Sequence, residues 1–155
     1  MPMIQFQYYK LYIKGTARQQ IIPLERNFLC NIKSSLKTIL CANSSCTDRG
    51  VYLSTKSLKH IYDRHIYDKG NFSEFIIILQ NITRIIRYPD EVRMDTQSKR
   101  GDFLFVKKIE EQVYFASLQI APNGDIEVVS SSATGERYIK KFTLLWSWGS
   151  ANPPS

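Results

Sequence analysis

The sequence has few of the residues that carry metal or redox chemistry. Its 155 residues include only two histidines and three cysteines. Cys30, Cys41 and Cys46 contain no CxxC pair, and an odd number of cysteines does not close a disulfide framework. His60 and His65 are separated by five positions, a poorer spacing for two metal ligands on one helix than four. We therefore predict no metal site, no cofactor and no disulfide-stabilised fold.

Long hydrophobic runs are also missing. The most apolar stretch, within residues 72–79, is far shorter than the roughly 20 residues that cross a bilayer. The opening "MPMIQFQYYKLYIKG" has no basic segment followed by an apolar one, so it does not resemble a secretory signal. We expect a soluble, cytoplasmic protein with no membrane association, or an effector that is delivered into a target cytoplasm.

Acidic residues are outnumbered by basic ones. Fourteen Asp and Glu face 21 Lys and Arg, which gives a formal net charge of +7 and an isoelectric point near 9.4. Such a balance favours a polyanionic partner, and RNA is the partner that we predict. The net charge indicates which molecules the protein associates with and not how it folds, so the fold must be inferred from the residue pattern.

Apolar periodicity and turn residues divide the chain into helices first and strands afterwards. In the first ninety residues we predict a strand over Ile4–Ile13, a helix over Pro23–Leu40, a short strand over Val51–Leu53, a helix from Ser54 or Ser57 to Tyr67, and a helix from Ser73 to Arg87. In the remainder we predict strands over residues 102–109, 112–120, 125–132 and 137–148. The Asn123-Gly124 pair between the second and third of these strands is a strong hairpin signal.

This order predicts an α+β fold, in which helices pack on a four-stranded antiparallel meander sheet. The chain is 43% hydrophobic and long enough for one domain with a real core. We divide it into a strand and helix region at residues 1–50, a main region at 51–148 and a frayed tail at 149–155, with the first two forming one compact domain.

The segment "SLKHIYDRH" holds both histidines of the chain. On a helix with 100° per residue, His65 falls on the apolar side, whereas His60 and Arg64 fall together on the opposite side. His65 is then either a packed histidine at the edge of the core or one member of an acid/base pair at the seam between helix and sheet. His60 and Arg64 form either a solvated helix face or a catalytic pair.

Residues further along the chain favour the catalytic interpretation. Metal-independent RNA cleavage needs a proton acceptor, a proton donor and cations that hold the phosphorane, and histidine with arginine supplies these near neutral pH. Ser130 and Ser132 should lie on one face of their strand and Ser131 on the other. The candidates for substrate binding are Lys59, Lys107, Arg137 and Lys140. Lysines on strands are equally typical of edges that are protected against aggregation.

The motifs "LKHIYDRH", "ITRIIRYPDEV" and "IEVVSSS", in this order, resemble the phage and bacterial members of the barnase–EndoU–colicin–RelE group of nuclease folds. The matching positions are Lys59-His60-Ile61 with Arg64-His65, Pro89-Asp90 with Val92, and Val128-Val129-Ser130. The similarity extends from about Val51 to Trp148. Ser130 stands where the group usually has threonine, and Tyr88 stands where asparagine is typical before the proline.

The resemblance implies a metal-independent endoribonuclease that cuts tRNA or other RNA, often as a toxin. It also implies His60, Arg64, His65 and Ser130 as the catalytic set, and an acidic immunity or antitoxin protein as a partner. A different class of function stays open, namely a non-catalytic basic module that binds RNA or phosphate on the same scaffold. Such a module would need the cations but not the histidines.

Overall fold

The computed structural model describes residues 3–96 and 102–148. The predicted tail at residues 149–155 lies outside the described residues. The helices are α1 (Ile4–Tyr8), α2 (Ser34–Ala42), α3 (Thr55–Asp63), α4 (Phe72–Arg87) and α5 (Glu136–Ile139), with π-helical turns at Tyr9–Ile13 and Arg64–Asp68 that extend α1 and α3. The strands are β1 (Arg26–Asn31), β2 (Gly50–Ser54), β3 (Glu91–Met94), β4 (Phe103–Ile109), β5 (Gln112–Ile120), β6 (Ile126–Thr134) and β7 (Thr143–Ser147).

A mixed seven-stranded sheet runs through the molecule in the order β1-β2-β6-β5-β4-β3-β7. The α+β class is confirmed, but the predicted four-stranded antiparallel meander is wrong. Strands β4, β5 and β6 do form an antiparallel meander, joined by two-residue and Asn-Gly turns. Glu110 and Glu111 both adopt positive φ in the first of these turns, as the tight hairpin requires. Among the strands of residues 3–96 and 102–148, only the β2–β6 pair is parallel.

The last strand lies at the far edge of the sheet and not beside β6. Residues 137–139, predicted as part of that strand, belong to helix α5 (Glu136–Ile139) instead. Ile139 of α5 is buried on the outer sheet face against Leu104, Val106 and Phe115. At this small second core the chain crosses over β5 and β4, and β7 then pairs antiparallel with the short strand β3. Strand β3 was not predicted, because its four residues are too few to show a clear alternation of apolar and polar side chains.

The first forty residues depart most from the prediction. Ile4–Ile13 is helical rather than extended, with Gln5, Tyr8 and Ile13 turned inward. No described strand pairs with this segment, and a helix satisfies its backbone groups internally. The predicted helix over Pro23–Leu40 is divided, because residues 26–31 pair antiparallel with β2 and only residues 34–42 are helical.

The two central helices agree with the prediction. The Ser54 hydroxyl accepts a hydrogen bond from the Ser57 amide at 3.0 Å and caps α3. The Asn71 side chain accepts one from the Glu74 amide at 3.0 Å and caps α4. Helix α4 ends before Pro89, as expected for a residue that precedes proline. Its apolar side packs in the main core, which includes Phe75, Ile78 and Ile82.

No helix among residues 3–96 and 102–148 is long and apolar enough to cross a membrane. Residues of α1, of β1 and of the later elements share the main core, so the first fifty residues pack against the rest of the chain.

Candidate active-site cleft

A cleft lies over strands β4, β5 and β6, between α3 with its π-helical turn and α5. Among the described residues, strands β2 and β6 pair only at Val51 with Ile126 and at Tyr52 with Glu127. Beyond Glu127, β6 continues beside α3 and the start of α4. The opening has a volume of about 380 Å³. Its polar lining residues are His60, Arg64, Lys69, Asp95, Ser117, Ser130, Ser132 and Thr134.

Three of the four residues predicted as catalytic meet in this cleft. His60 and Arg64 are one helical turn apart, both are exposed, and both line it together with Ser130 of β6. His60 also borders two neighbouring grooves, one toward Ser57 and one toward Ile21. The imidazole therefore lies where open surfaces meet, with a guanidinium beside it.

A bulge in β6 brings serines to the cleft. Ser117 pairs with Ser130 and Leu118 pairs with Val128, so Val129 is an extra residue in β6. After the bulge, Ser130 and Ser132 line the cleft. Ser131 points inward, and its hydroxyl donates a 2.7 Å hydrogen bond to the Phe115 carbonyl. The predicted separation of Ser131 from its two neighbours agrees with this arrangement.

His65 lies beneath the cleft rather than on its wall. The side chain is 0% exposed, and Nδ1 is 2.7 Å from the Ile61 carbonyl oxygen. Nε2 lies against the Glu74 carboxylate and forms an ion pair with it when the ring is protonated. Glu74 is also near the end of β6, because the Ala133 amide donates to it at 3.4 Å. His65 thus lies at the seam between helix and sheet, as its helical face predicted, but solvent does not reach it.

Glu74 connects this buried layer to the cleft. Its Oε2 accepts hydrogen bonds from Lys69 at 3.1 Å and from the Ser132 hydroxyl at 3.3 Å. Lys69 in turn donates to the Ser132 hydroxyl at 2.7 Å. Burial acts to raise the pKa of Glu74, but the Lys69 hydrogen bond and the charges of His65 and Lys69 outweigh it and hold the pKa below its usual value. The carboxylate therefore holds Lys69 and Ser132 in position at the cleft edge.

Lys59 does not reach the cleft. Its side chain is only 7% exposed, and its ammonium group donates to the Ala17 carbonyl at 2.7 Å and to the Asp63 carboxylate at 2.5 Å. The contact with Ala17 ties α3 to the segment that precedes β1, whereas the contact with Asp63 is an i,i+4 pair within α3. The substrate-binding role of Lys59 stays a prediction, and the lysine borders a groove next to the cleft together with His60.

The other three predicted substrate-binding cations lie elsewhere. Lys107 donates to the Tyr88 carbonyl at 2.7 Å and lines a groove near Trp146 and Trp148. Lys140 lines a groove on the outer face of the sheet. Arg137 is exposed on α5 and is not among the described residues that border the cleft. The structure does not bring these three side chains to His60.

Sequence reasoning missed four residues of the site, namely Lys69, Glu74, Asp95 and Tyr138. One signal was available, because Glu74 follows Asn71 by three positions, the spacing of a helix capping box. That pattern marks a helix start and does not reveal the contacts with Lys69 and His65. Within the described parts of the chain, no three His, Cys, Asp or Glu side chains are grouped so that they could hold a metal ion.

Comparison with known families places this arrangement in context. A family model described as phage-Barnase-EndoU-ColicinE5/D-RelE like nuclease3 matches residues 30–133, more than half of the chain. The chain belongs to this family. The matched region contains His60, Arg64, His65 and Ser130, and membership implies a nucleic-acid substrate. The resemblance seen in the motifs is thereby confirmed. No curated protein and no solved structure matches the chain.

Proposed function

We propose that this protein is a metal-independent endoribonuclease whose active site is the cleft between α3 and β6. The observation that carries the proposal is the meeting of His60, Arg64 and Ser130 in one cleft, although Ser130 is distant from the other two in sequence. A proton-transfer group, a permanent cation and a hydroxyl donor are the groups that cleavage of an RNA phosphodiester requires.

In the proposed reaction, the 2′-oxygen of a ribose attacks the adjacent phosphorus and the bond to the 5′-oxygen breaks. The 2′-hydroxyl loses its proton and the leaving 5′-oxygen gains one, so the products carry a 2′,3′-cyclic phosphate and a 5′-hydroxyl. His60 is the general acid or base for one of these two proton transfers, because histidine as a residue type titrates near neutral pH, and solvent water exchanges the other proton. Arg64 holds the non-bridging phosphate oxygens through its planar donors, and Ser130 donates a further hydrogen bond.

Lys69 adds a second cation to the proposed site, and Glu74 positions it. His65 takes a positioning role through Glu74 instead of the second proton-transfer role expected from the sequence, because it has no exposed surface. His60 is thus the histidine that transfers a proton in the proposed reaction.

Toxin activity is the biological role that we propose for such an enzyme, with tRNA or another cellular RNA as the target. An acidic immunity or antitoxin protein would neutralise it most directly by covering Arg64 and Lys69, the two cations of the cleft. Binding of that partner and cleavage of RNA would then exclude each other.

One observation favours the second candidate function, a non-catalytic RNA-binding module. Of the two histidines only His60 reaches the cleft, so a pair of catalytic histidines is not assembled there. A module that only binds RNA needs Arg64 and Lys69 but has no use for His60.

Incubation of total RNA and of a purified tRNA pool with the protein in EDTA distinguishes the two functions. We expect discrete fragments with 2′,3′-cyclic phosphate ends from the wild type, and a loss of roughly 10²- to 10⁴-fold in rate for His60→Ala. Gln80→Ala, at an exposed position on α4 away from the cleft, is the control and should cleave normally. No cleavage by the wild type, with salt-sensitive RNA binding equal in wild type and His60→Ala, would overturn the nuclease proposal in favour of the binding module.

A further inference from the structure

Tyr138 is an aromatic side chain that the sequence motifs do not include and the family match does not reach. It lies on α5 and is 42% exposed. Its ring borders the same cleft as His60 and Arg64. The Lys141 ammonium group lies over the ring, 6.0 Å from its centroid. The exposed part of Tyr138 and this cation together form an aromatic and basic surface beside the proposed site of phosphate binding.

The ring is held in place by two other aromatic side chains. Its centroid lies 5.9 Å from that of Phe115 and 5.2 Å from that of Phe142, with the latter pair edge to face. The next residue, Ile139, is buried in the small outer core and anchors α5 to the sheet. Because its neighbours restrict the ring, little side-chain entropy remains to be lost when a ligand stacks on it.

We infer that Tyr138 forms a base-stacking subsite of the cleft, and that the substrate is single-stranded RNA or RNA with an unpaired, extruded base. This inference rests on the proposed function and deepens it by naming the substrate class. Every base offers a π-face to an aromatic ring, and stacking of this kind recurs in proteins that bind single strands. A phosphate held by Arg64 would leave the adjoining nucleotide free to reach Tyr138 in the same cleft.

Stacking on Tyr138 selects against double helices for a geometric reason. A base within an RNA duplex is covered on both faces by its neighbours, so it must leave the stack before an aromatic side chain can contact it. The cost of extrusion is least for loops, bulges and single strands. The subsite thus favours unpaired nucleotides without reading a particular base.

Binding of an uncleavable single-stranded RNA tests the subsite directly. The probe is a short 2′-O-methyl oligonucleotide in which 2-aminopurine reports stacking by loss of fluorescence. We expect Tyr138→Ala to weaken its binding roughly tenfold, whereas Tyr138→Phe should keep wild-type affinity and quenching because the ring remains. Tyr138→Leu retains apolar contacts with Phe115 and Phe142 without an aromatic face, and should resemble Tyr138→Ala.

The matched control is Tyr88→Ala. Tyr88 is 48% exposed but borders a different groove, near Trp146 and Trp148. Its removal should leave binding of the probe unchanged. A perfect RNA duplex of the same length serves as the second probe, and its affinity should not differ between wild type and Tyr138→Leu.

Equal binding of the single strand by wild type, Tyr138→Ala and Tyr138→Leu would overturn the inference, as would an equal loss for single strand and duplex. A loss in Tyr138→Phe as large as that in Tyr138→Ala would also overturn it, because the hydroxyl and not the ring would then be responsible. Since the probe is not cleaved, the outcome is separate from that of the nuclease assay. Weaker binding in Tyr138→Leu with no cleavage by the wild type would support the subsite and reject the enzyme.

Discussion

The two sides of the segment formed by α3 and its π-helical turn contain the same kinds of residue but hold them in opposite surroundings. On the cleft side, His60 and Arg64 are exposed. On the inner side, Lys59 and His65 are buried and each contacts a carboxylate. Each exposed residue is adjacent in sequence to a buried one of similar charge. A basic side chain on this segment is therefore available to a substrate where it is exposed, and not where it is buried against a carboxylate.

This contrast assigns the two sides different consequences when they are mutated. Changes on the cleft side should alter activity more than stability, since these side chains are exposed. Changes on the inner side should alter stability, because they leave a buried charge without its partner.

Arg64→Ala should have the largest effect on the cleft side. We expect at least a hundredfold loss in kcat/KM for RNA cleavage, because a cation that stabilises the phosphorane is removed. Arg64→Lys should recover only part of the loss, since an ammonium group lacks the planar donors of guanidinium. Arg84→Ala, at an exposed arginine of α4, is the control. Equal activity of Arg64→Ala and Arg84→Ala would break the contrast.

Glu74→Gln should have the largest effect on the inner side. Burial raises the pKa of Glu74, but the contacts with Lys69 and His65 lower it further than burial raises it, so its folded-state pKa is depressed. A depressed carboxyl pKa stabilises the fold above the unfolded-state value of about 4.3, and this stabilisation is lost as the pH falls through the folded-state value. We expect a loss of roughly 2 kcal/mol in unfolding free energy at pH 7.

Chemical denaturation of both proteins over a range of pH measures this effect. The difference between wild type and Glu74→Gln should shrink as the pH falls below about 4.3. Glu136→Gln, at an exposed position on α5, should show no comparable change. A difference that stays constant with pH would mean that the charge of Glu74 does not support the fold.

The serines of β6 should differ in the same way, one affecting activity and the other stability, with smaller effects. Ser130→Ala should lower kcat roughly tenfold with little change in stability, because one hydrogen bond to the phosphate is lost. Ser131→Ala should lower the unfolding free energy by about 1 kcal/mol and leave kcat unchanged, because its hydroxyl donates to a buried carbonyl. Kinetics and denaturation of both variants would measure this, and the reverse assignment would contradict the position of the bulge at Val129.

The smallest effects are expected for the cations that lie away from the cleft. Lys107→Ala, Arg137→Ala and Lys140→Ala should each change kcat by less than about twofold, with a modest rise in KM from the reduced net charge. Cleavage at two salt concentrations separates that general attraction from direct contact. A tenfold drop in kcat for any of the three would place it in the active site and extend the site beyond the cleft.

The accuracy of the sequence-based predictions depended on how local the signal was. Helices α3 and α4 were predicted because apolar spacing, caps and the stop before Pro89 lie within the segments themselves. The strand predicted at Ile4–Ile13 was wrong because aromatic residues suit a strand face as well as a buried helix. In addition, no described strand lies beside this segment to pair with it. The helix predicted from Pro23 failed at β1 because pairing with β2 outweighed its four-residue spacing.

The candidate site shows the same division. The amino-acid sequence was enough to predict that His60 and Arg64 share a helix face and that Ser130 and Ser131 point to opposite sides of a strand. It also showed motifs of a nuclease family. Three features became visible in the folded structure alone. Ser130 and His60 line the same cleft, and Tyr138 borders it as well. His65 is fully buried against Glu74. The physical reason is that helix faces and strand alternation follow from neighbours along the chain, whereas burial and encounter depend on the order of strands in the sheet and on the one-residue bulge in β6.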